Sequence, residues 1–285
     1  MHARYNRISF IGLGSHTAAP LLYSYIQEHP ECATPEGATH FFSDSKRFAA
    51  GVSWYEAQFV TTKTRTVCGE LAHDYLINSQ AAGLIARTYP DAKLLVVIEN
   101  PLVSVRVEYV EAVREGRVRR QTSLAEFLIQ NPEVLMRAKY GRQLAQYFSY
   151  YAPGDLLVYT ASDIRADVLG TVKQAYAHLG LSDTFVPLTL RHLVVEEIDE
   201  KNRPGFIKRR IMAVRKLVRG VYGLLTKFVK PKEIKTETAS ELARRLPLTP
   251  ELEAKLKDYF RKDVFELSAL LHRNLTVEWG FSDDL

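Results

Sequence analysis

The sequence predicts an α/β protein with a parallel β-sheet and helices on its faces, because short apolar runs are each followed by a loop and a segment of helical apolar spacing. The chain has 285 residues, of which 46% are hydrophobic and 25% charged. Such a chain can bury a large core, so a disordered or fibrous protein is excluded. We expect a single domain over residues 1–285.

Three strand, loop and helix units carry this prediction. The predicted strands are Ile8–Leu13, Leu94–Ile98 and Leu156–Tyr159, whose β-branched and aliphatic residues suit strands buried on both faces. The helices that follow them are about Pro20–Glu28, a helix with Val103, Val107 and Val110 at helical spacing, and Asp167–Leu179. Ligands of such sheets bind beyond the carboxyl ends of the strands. The loops at residues 13–19 and 99–106 are therefore the expected functional rim.

The segment 205–230 is strongly basic and amphipathic. From Phe206 to Lys230 it carries eight cationic side chains beside a continuous apolar stripe, which predicts a helix or helix pair. This pattern is typical of a solvated helix face, and it also suits an anionic membrane surface or glycan. Nucleic acid is not expected, because aromatic residues are not interleaved with the cations. A last helix is predicted over Glu251–Leu271.

Charge and cysteine content favour a cytoplasmic protein, peripheral to a membrane if the basic segment binds lipid. The net charge of +5 indicates an anionic partner. Cys32 and Cys68 are the only two cysteines, too few for a disulfide framework in a chain of this length. No apolar run approaches the length of a membrane-spanning helix.

A series of short motifs follows the order and spacing of one known family. They are Leu22–Pro30, His40-Phe41-Phe42, Gly51–Tyr55, Gly69-Glu70 with Tyr75, Pro90–Leu94, Asn100-Pro101, and the ending from Leu248-Thr249-Pro250 to Trp279-Gly280-Phe281. Together they span nearly the whole chain, which resembles bacterial and Golgi-type members of the sulfotransferase superfamily. The resemblance implies a P-loop-like sulfotransferase fold and transfer of a sulfuryl group from 3′-phosphoadenosine-5′-phosphosulfate (PAPS) to a hydroxyl or amine of a small molecule or glycan.

The resemblance also locates the donor's 5′-phosphate at the first loop, where backbone N–H groups and a helix N-terminus hold anions. The corresponding residues here are Gly14, Ser15, His16, Thr17, Ala18 and Ala19. His16 occupies the position of the family's lysine, and the family's threonines are replaced.

The family's 3′-phosphate site is altered in the same way. Glu99 and Val107 stand where the family carries an arginine and a serine, and a carboxylate repels a phosphate. Asn100, Ser104 and Arg106 are the nearby candidates for donor binding.

Four residues are candidates for catalysis. His16 is placed to assist the leaving oxygen, while Glu36, His40 and His73 are candidates near the acceptor. Glu36 is the nearest carboxylate to Ala38, where some family members carry a base. Each histidine also has a structural interpretation, as a helix cap, a buried side chain or a turn residue. Glu70 is expected to be structural and to bond neighbouring loop amides.

Two further predictions concern His73 and metals. His73 and Asp74 either form an acid/base pair or lie in a turn in which Asp74 caps a helix. No metal site is expected, because the histidines lack ligand-pair spacing. Three functions stay open: a PAPS-dependent sulfotransferase, a family member that uses another donor or reaction, and a noncatalytic binding protein.

Overall fold

Five parallel strands form one sheet in the order β2-β3-β1-β4-β5. The computed structural model describes residues 8–15, 19–60, 67–190 and 239–281. The strands are β1 (Ile8–Gly14), β2 (Cys32–Ala33), β3 (Val67–Leu71), β4 (Lys93–Ile98) and β5 (Leu156–Thr160). The predicted parallel sheet with flanking helices is confirmed. The order in which the strands are added reverses between β1 and β4, and ligands of such sheets bind in the crevice at the carboxyl ends of these strands.

Helices connect the strands and extend the chain after β5. They are α1 (Ala19–Gln27), α2 (Ser45–Ala49), α3 (Val52–Glu56), α4 (His73–Ile77), α5 (Ala81–Thr88), α6 (Pro101–Arg114), α7 (Leu124–Gln130), α8 (Glu133–Arg137), α9 (Tyr140–Phe148), α10 (Ala161–Ala166), α11 (Val168–Leu179), α12 (Ala239–Arg245), α13 (Pro250–Leu270) and α14 (Leu275–Glu278). Residues 8–187 and 239–281, where described, belong to one compact unit. Leu188–Leu190, a single 3-10 turn, belongs to a second unit.

Side chains at the strand ends start the following helices. The Asn100 side chain accepts a hydrogen bond from the Leu102 amide at 2.9 Å, and Pro101 at the first helical position has no N–H group that would need an acceptor. Thr160 and Asp163 form a capping box at the start of α10. These caps fix where each helix leaves the carboxyl edge of the sheet, and with it the shape of the crevice.

The predicted elements agree with the structure to within one or two residues at each end. The two strands that the sequence analysis did not identify are β2, which is only two residues long, and β3, which contains Gly69 and Glu70. Residues 206–230, predicted to be a basic amphipathic helix, lie outside the described residues. Among the helices that are described, none combines the length and hydropathy needed to cross a membrane. The single-domain, cytoplasmic and membrane-surface assignments stay predictions.

A cluster of buried aromatic residues packs against the loop that carries His40. Phe41, Phe42, Tyr55 and Tyr75 are all buried, and the Phe41 and Tyr55 rings stack with centroids 4.6 Å apart. Phe42 meets the Tyr75 ring edge-on at 5.5 Å. Aromatic pairs of this kind add packing energy beyond the area they bury. The loop that carries His40 is thereby fixed against α3 and α4.

Candidate functional site

A pocket of about 410 Å³ opens at the carboxyl ends of β1 and β3. Its wall includes Gly14 and Ser15 from the turn after β1, His40 from the loop before α2, and His73 and Asp74 from α4. The volume lies in the range of small-molecule sites. The structure therefore brings together residues from three separate parts of the sequence.

Gly14 is required by the close approach of β1 to β4. Its φ is +136°, and a Cβ there would lie 2.0 Å from the carbonyl oxygen of Val97. The amide of Ser15 donates to the same carbonyl at 2.8 Å. The turn that precedes α1 is thus held by β4 and cannot accommodate a side chain at its first position.

His40 and Asp74 form a hydrogen-bonded pair in the pocket. The His40 Nδ1 lies 2.7 Å from the Asp74 Oδ2, and the Ser43 hydroxyl donates to the same oxygen. Because the carboxylate can only accept, Nδ1 carries the proton, and Nε2 is left as an acceptor in the neutral ring. His40 is partly exposed, so this arrangement can take a proton from a bound hydroxyl or amine.

Glu70 holds the residue before His40. Its side chain is fully buried and accepts hydrogen bonds from the Thr39 amide at 2.9 Å, the Thr39 hydroxyl at 3.0 Å, and the Tyr55 and Tyr75 hydroxyls at 2.8 and 2.7 Å. Burial raises the pKa of the Glu70 carboxyl, and the four donors oppose that rise. The predicted bond to a loop amide is present, and the other three donors are hydroxyl groups that the sequence analysis did not identify. His40 itself has a φ of +54°, a conformation that this network supports.

His73 and Asp74 do not pair with each other. The Nδ1 of His73 lies 3.0 Å from the carbonyl oxygen of Gly14, so that nitrogen donates and the ring is tied to the first loop. Asp74 lies in the first turn of α4, where Ala72 is the N-cap. Both sequence interpretations of the Asp74 side chain are wrong, because neighbouring residues on α4 point in different directions and His40 takes the carboxylate.

Comparisons with known proteins agree with this architecture. A sulfotransferase from Alicyclobacillus acidocaldarius superposes with a TM-score of 0.67 at 20% identity, over 96% of this chain and 99% of that one. The sulfotransferase domain of the Synechococcus PCC 7002 olefin synthase superposes with a TM-score of 0.50 at 12% identity, over 92% and 95% of the two chains. No protein-family model matches the sequence.

The sequence is also similar to that of a curated sulfotransferase. The mouse (Mus musculus) heparan sulfate glucosamine 3-O-sulfotransferase 3B1 is 21% identical over 168 residues, which is 56% of this chain. The chain is therefore similar in part of its sequence to this sulfotransferase, and it shares its fold with solved sulfotransferases. The match covers 42% of the mouse protein, so the chain aligns with less than half the length of this curated relative.

The predicted donor-binding residues lie in different environments. Gly14, Ser15 and Ser104 line the pocket, while Ala19 is buried at the start of α1. Arg106 does not face the pocket with its guanidinium: Nε donates to the Leu102 carbonyl at 2.9 Å and Nη1 to the Leu246 carbonyl at 3.1 Å.

The remaining predicted residues are spread around the site. Asn100 caps α6, and its amide nitrogen donates to the Trp279 carbonyl at 3.3 Å. Glu36 is exposed and is not among the residues that line the pocket. His16, Thr17 and Ala18 lie outside the described residues. The roles assigned to all of these residues stay predictions.

The position of the family's 3′-phosphate arginine is occupied by a neutralised carboxylate. Glu99 is 3% exposed, and its Oε2 lies 3.1 Å from the Arg244 Nη2 and 3.4 Å from the Arg165 Nη1. Two guanidinium groups around one carboxylate leave a net charge of about +1. Val107, at the family's serine position, is buried against Ala243 of α12. The repulsion expected from Glu99 alone is therefore offset by arginines that the sequence analysis did not identify.

Several pocket residues or their partners were not identified in the sequence analysis. The partner of Asp74 is His40, 34 residues away, rather than the adjacent His73. The Arg137 guanidinium pairs with the Glu108 carboxylate through two contacts of 3.0 Å, and the Tyr140 hydroxyl donates to Ser104 at 3.0 Å. Glu108 lies one helical turn after Ser104, which the sequence analysis did name, and this spacing on α6 is the signal that could have found Glu108. Within the described ranges, no group of three potential ligands is arranged to hold a metal ion.

Proposed function

We propose that this chain transfers a sulfuryl group from PAPS to a hydroxyl or amine of a small molecule or glycan. The observation that carries the proposal is the His40–Asp74 pair, which lies in the same pocket as the Gly14–Ser15 turn. When bound, PAPS supplies an activated sulfuryl group whose transfer needs positioning, proton removal from the acceptor and charge stabilisation at the leaving oxygen.

The proton-accepting group is the Nε2 of His40. Asp74 holds the ring through Nδ1, which fixes the neutral tautomer and stabilises the imidazolium that forms when Nε2 takes the acceptor's proton. Ala38 occupies the position where the resembled family carries a carboxylate base in some members. The His40–Asp74 pair lines the pocket with Ala38 and replaces that base.

The donor side fits PAPS in charge through a set of residues unlike the family's. Arg165 and Arg244 supply the positive charge near the 3′-phosphate position and remain partly exposed. The Glu99 carboxylate contacts one nitrogen of each guanidinium group. His16 stands at the family's lysine position, and α1 begins shortly after it, at Ala19.

Ligand binding tests the donor assignment. Calorimetry and thermal unfolding of the full chain should show that 3′-phosphoadenosine-5′-phosphate (PAP) binds, and stabilises it by about 2.7 kcal/mol at a hundredfold excess over the dissociation constant. Glu99→Gln should tighten PAP binding about tenfold, because it removes a negative charge beside a phosphate, and should change binding of 5′-AMP less. No binding of PAP at millimolar concentration to either protein would refute PAPS use.

A second candidate is transfer from a donor that lacks a 3′-phosphate. The contact of Val107 with Ala243 favours it, because α12 covers the position of the family's serine. Equal binding of PAP and 5′-AMP would support this candidate.

Isotope transfer tests the catalytic assignment. With sulfur-labelled PAPS and a panel of hydroxyl and amine acceptors, His40→Ala and Asp74→Asn should each lower transfer by about a hundredfold or more. His272→Ala is the matched control, because His272 also has a positive φ, of 49°, but is exposed on another surface. Transfer by His40→Ala at the rate of the control would remove the pair from the mechanism.

A further inference from the structure

Gln143 carries a buried oxygen that has no hydrogen-bond partner. Its side-chain nitrogen donates to the carbonyls of Met136 and Arg137, both at 3.1 Å. Those two bonds fix the amide orientation, because a flipped amide would place oxygen against two carbonyl oxygens. The residue is 6% exposed and lines the pocket, and its Oε1 is left unpaired.

Asp74 carries a second such oxygen in the same pocket. Its Oδ2 accepts from His40 and Ser43, whereas Oδ1 is buried and unpaired. The helices that carry Asp74 and Gln143 are joined: the Tyr147 hydroxyl, one turn after Gln143 on α9, donates to the Tyr75 carbonyl of α4 at 2.7 Å. An unpaired buried acceptor costs about 1–3 kcal/mol, and a ligand that donates hydrogen bonds recovers that cost.

The cations of the pocket wall already have carboxylate partners. Arg137 is held by the two-contact pair with Glu108, and the Arg117 Nε lies 2.6 Å from the Glu115 carboxylate. Lysine is absent from the described pocket lining. A sulfated or carboxylated ligand would therefore have to compete with existing ion pairs, while finding two acceptor oxygens that repel it.

From these contacts we infer that the wall formed by Gln143 and Asp74 is an acceptor subsite for hydroxyl or ammonium groups, and that the acceptor is a polyhydroxyl or amino-bearing compound rather than a polyanion. This inference rests on the proposed function, because only a transferase has an acceptor, and it names the chemical class of that acceptor. Gln143 is the specificity-determining residue. Its nitrogen is held by two backbone carbonyls, so its Oε1 can accept a hydrogen bond from a ligand but the side chain cannot turn to donate one.

Direct binding without any sulfuryl donor tests the subsite. Ligand-observed NMR on the full chain would compare glucosamine, glucose, glucuronate and glucose 6-sulfate, which share one ring and differ in donor and anionic groups. Glucosamine should bind at least about tenfold tighter than either anionic sugar, equivalent to about 1.4 kcal/mol. Gln143→Met, which keeps the length of the side chain and removes Oε1, should weaken glucosamine binding about tenfold. The exposed residue Gln130 provides the matched control, Gln130→Met.

Each remaining outcome overturns the inference. They are an anionic sugar that binds as tightly as glucosamine, glucosamine binding unchanged by Gln143→Met, and no binding of any sugar at millimolar concentration, as expected if water alone satisfies the two oxygens. If Gln143→Met does not fold, the comparison of the four sugars on the unmodified chain decides the matter. A chain that binds glucosamine as expected but not PAP would retain the subsite and lose the PAPS assignment.

Discussion

Glu70→Gln probes the buried network that positions His40. The carboxylate accepts three hydrogen bonds from hydroxyl groups at one oxygen and one from the Thr39 amide at the other. A glutamine can keep its oxygen on the Thr39 amide and turn its nitrogen toward the hydroxyls, which can accept as well as donate. The variant therefore preserves the connections and removes the buried charge. Glu70→Ala removes both.

The expected magnitudes follow from those contacts. In Glu70→Ala the Tyr55 and Tyr75 hydroxyls and the Thr39 amide lose their acceptor, at about 1–3 kcal/mol each, partly offset because no carboxylate is buried. We expect a loss of about 3–5 kcal/mol in the free energy of unfolding. Glu70→Gln should cost less than Glu70→Ala, since the Thr39 amide keeps its acceptor and the new amide nitrogen donates to hydroxyl oxygens, while the Tyr55 hydroxyl loses the oxygen to which it donated.

The pH dependence of the unfolding free energy distinguishes the effect of the Glu70 charge from the effect of its hydrogen bonds. Burial raises the pKa of Glu70 in the folded state above its unfolded value, so the folded protein keeps this proton to higher pH than the unfolded chain does. The stability of the wild type must then fall, relative to Glu70→Gln, as pH rises from the ordinary carboxyl range through the raised pKa. A tenfold difference between the folded and unfolded acid dissociation constants corresponds to about 1.4 kcal/mol of unfolding free energy, and the loss becomes constant above the raised pKa.

Urea unfolding followed by circular dichroism, at a series of pH values, measures this difference. The exposed Glu266 on α13 supplies the control Glu266→Gln, which should show no such trend. A wild-type stability that rises relative to Glu70→Gln over this pH range would mean that the four hydrogen bonds outweigh burial. That result would refute the assigned direction of the Glu70 pKa.

Substitutions at His16 and Gly141 test the first loop and the contact of α9 with α13. His16→Ala should lower turnover by about a hundredfold with little change in melting temperature, and His16→Lys should keep part of the activity; an alanine variant as active as the wild type removes His16 from the mechanism. Gly141→Ala should destabilise the fold by about 2–3 kcal/mol, because a Cβ would lie 2.4 Å from the Asp263 carbonyl oxygen. Gly154→Ala, where nothing lies within 4 Å, is its control, and equal unfolding midpoints would contradict the assignment.

The sequence by itself determined the sheet class and the edge at which the site lies. Aliphatic runs such as Leu94–Ile98 identify buried parallel strands without tertiary information, because both faces of such a strand must be apolar. The short strand β2 and the polar residues of β3 lack that pattern. Strand β3 pairs with β1 and β2 pairs with β3, and the polar Glu70 is buried by hydrogen bonds to distant residues. These two strands could therefore not be predicted from local sequence.

Only the tertiary structure decided which side chains work together. Asp74 binds His40 rather than the adjacent His73, because the fold brings the loop before α2 onto α4. From the sequence, Glu99 is expected to repel a bound phosphate. In the structure, Arg165 and Arg244, which lie 66 and 145 residues further along the chain, pair with its carboxylate. Local patterns record burial and periodicity, whereas partners distant along the chain are chosen by packing, which no local pattern encodes.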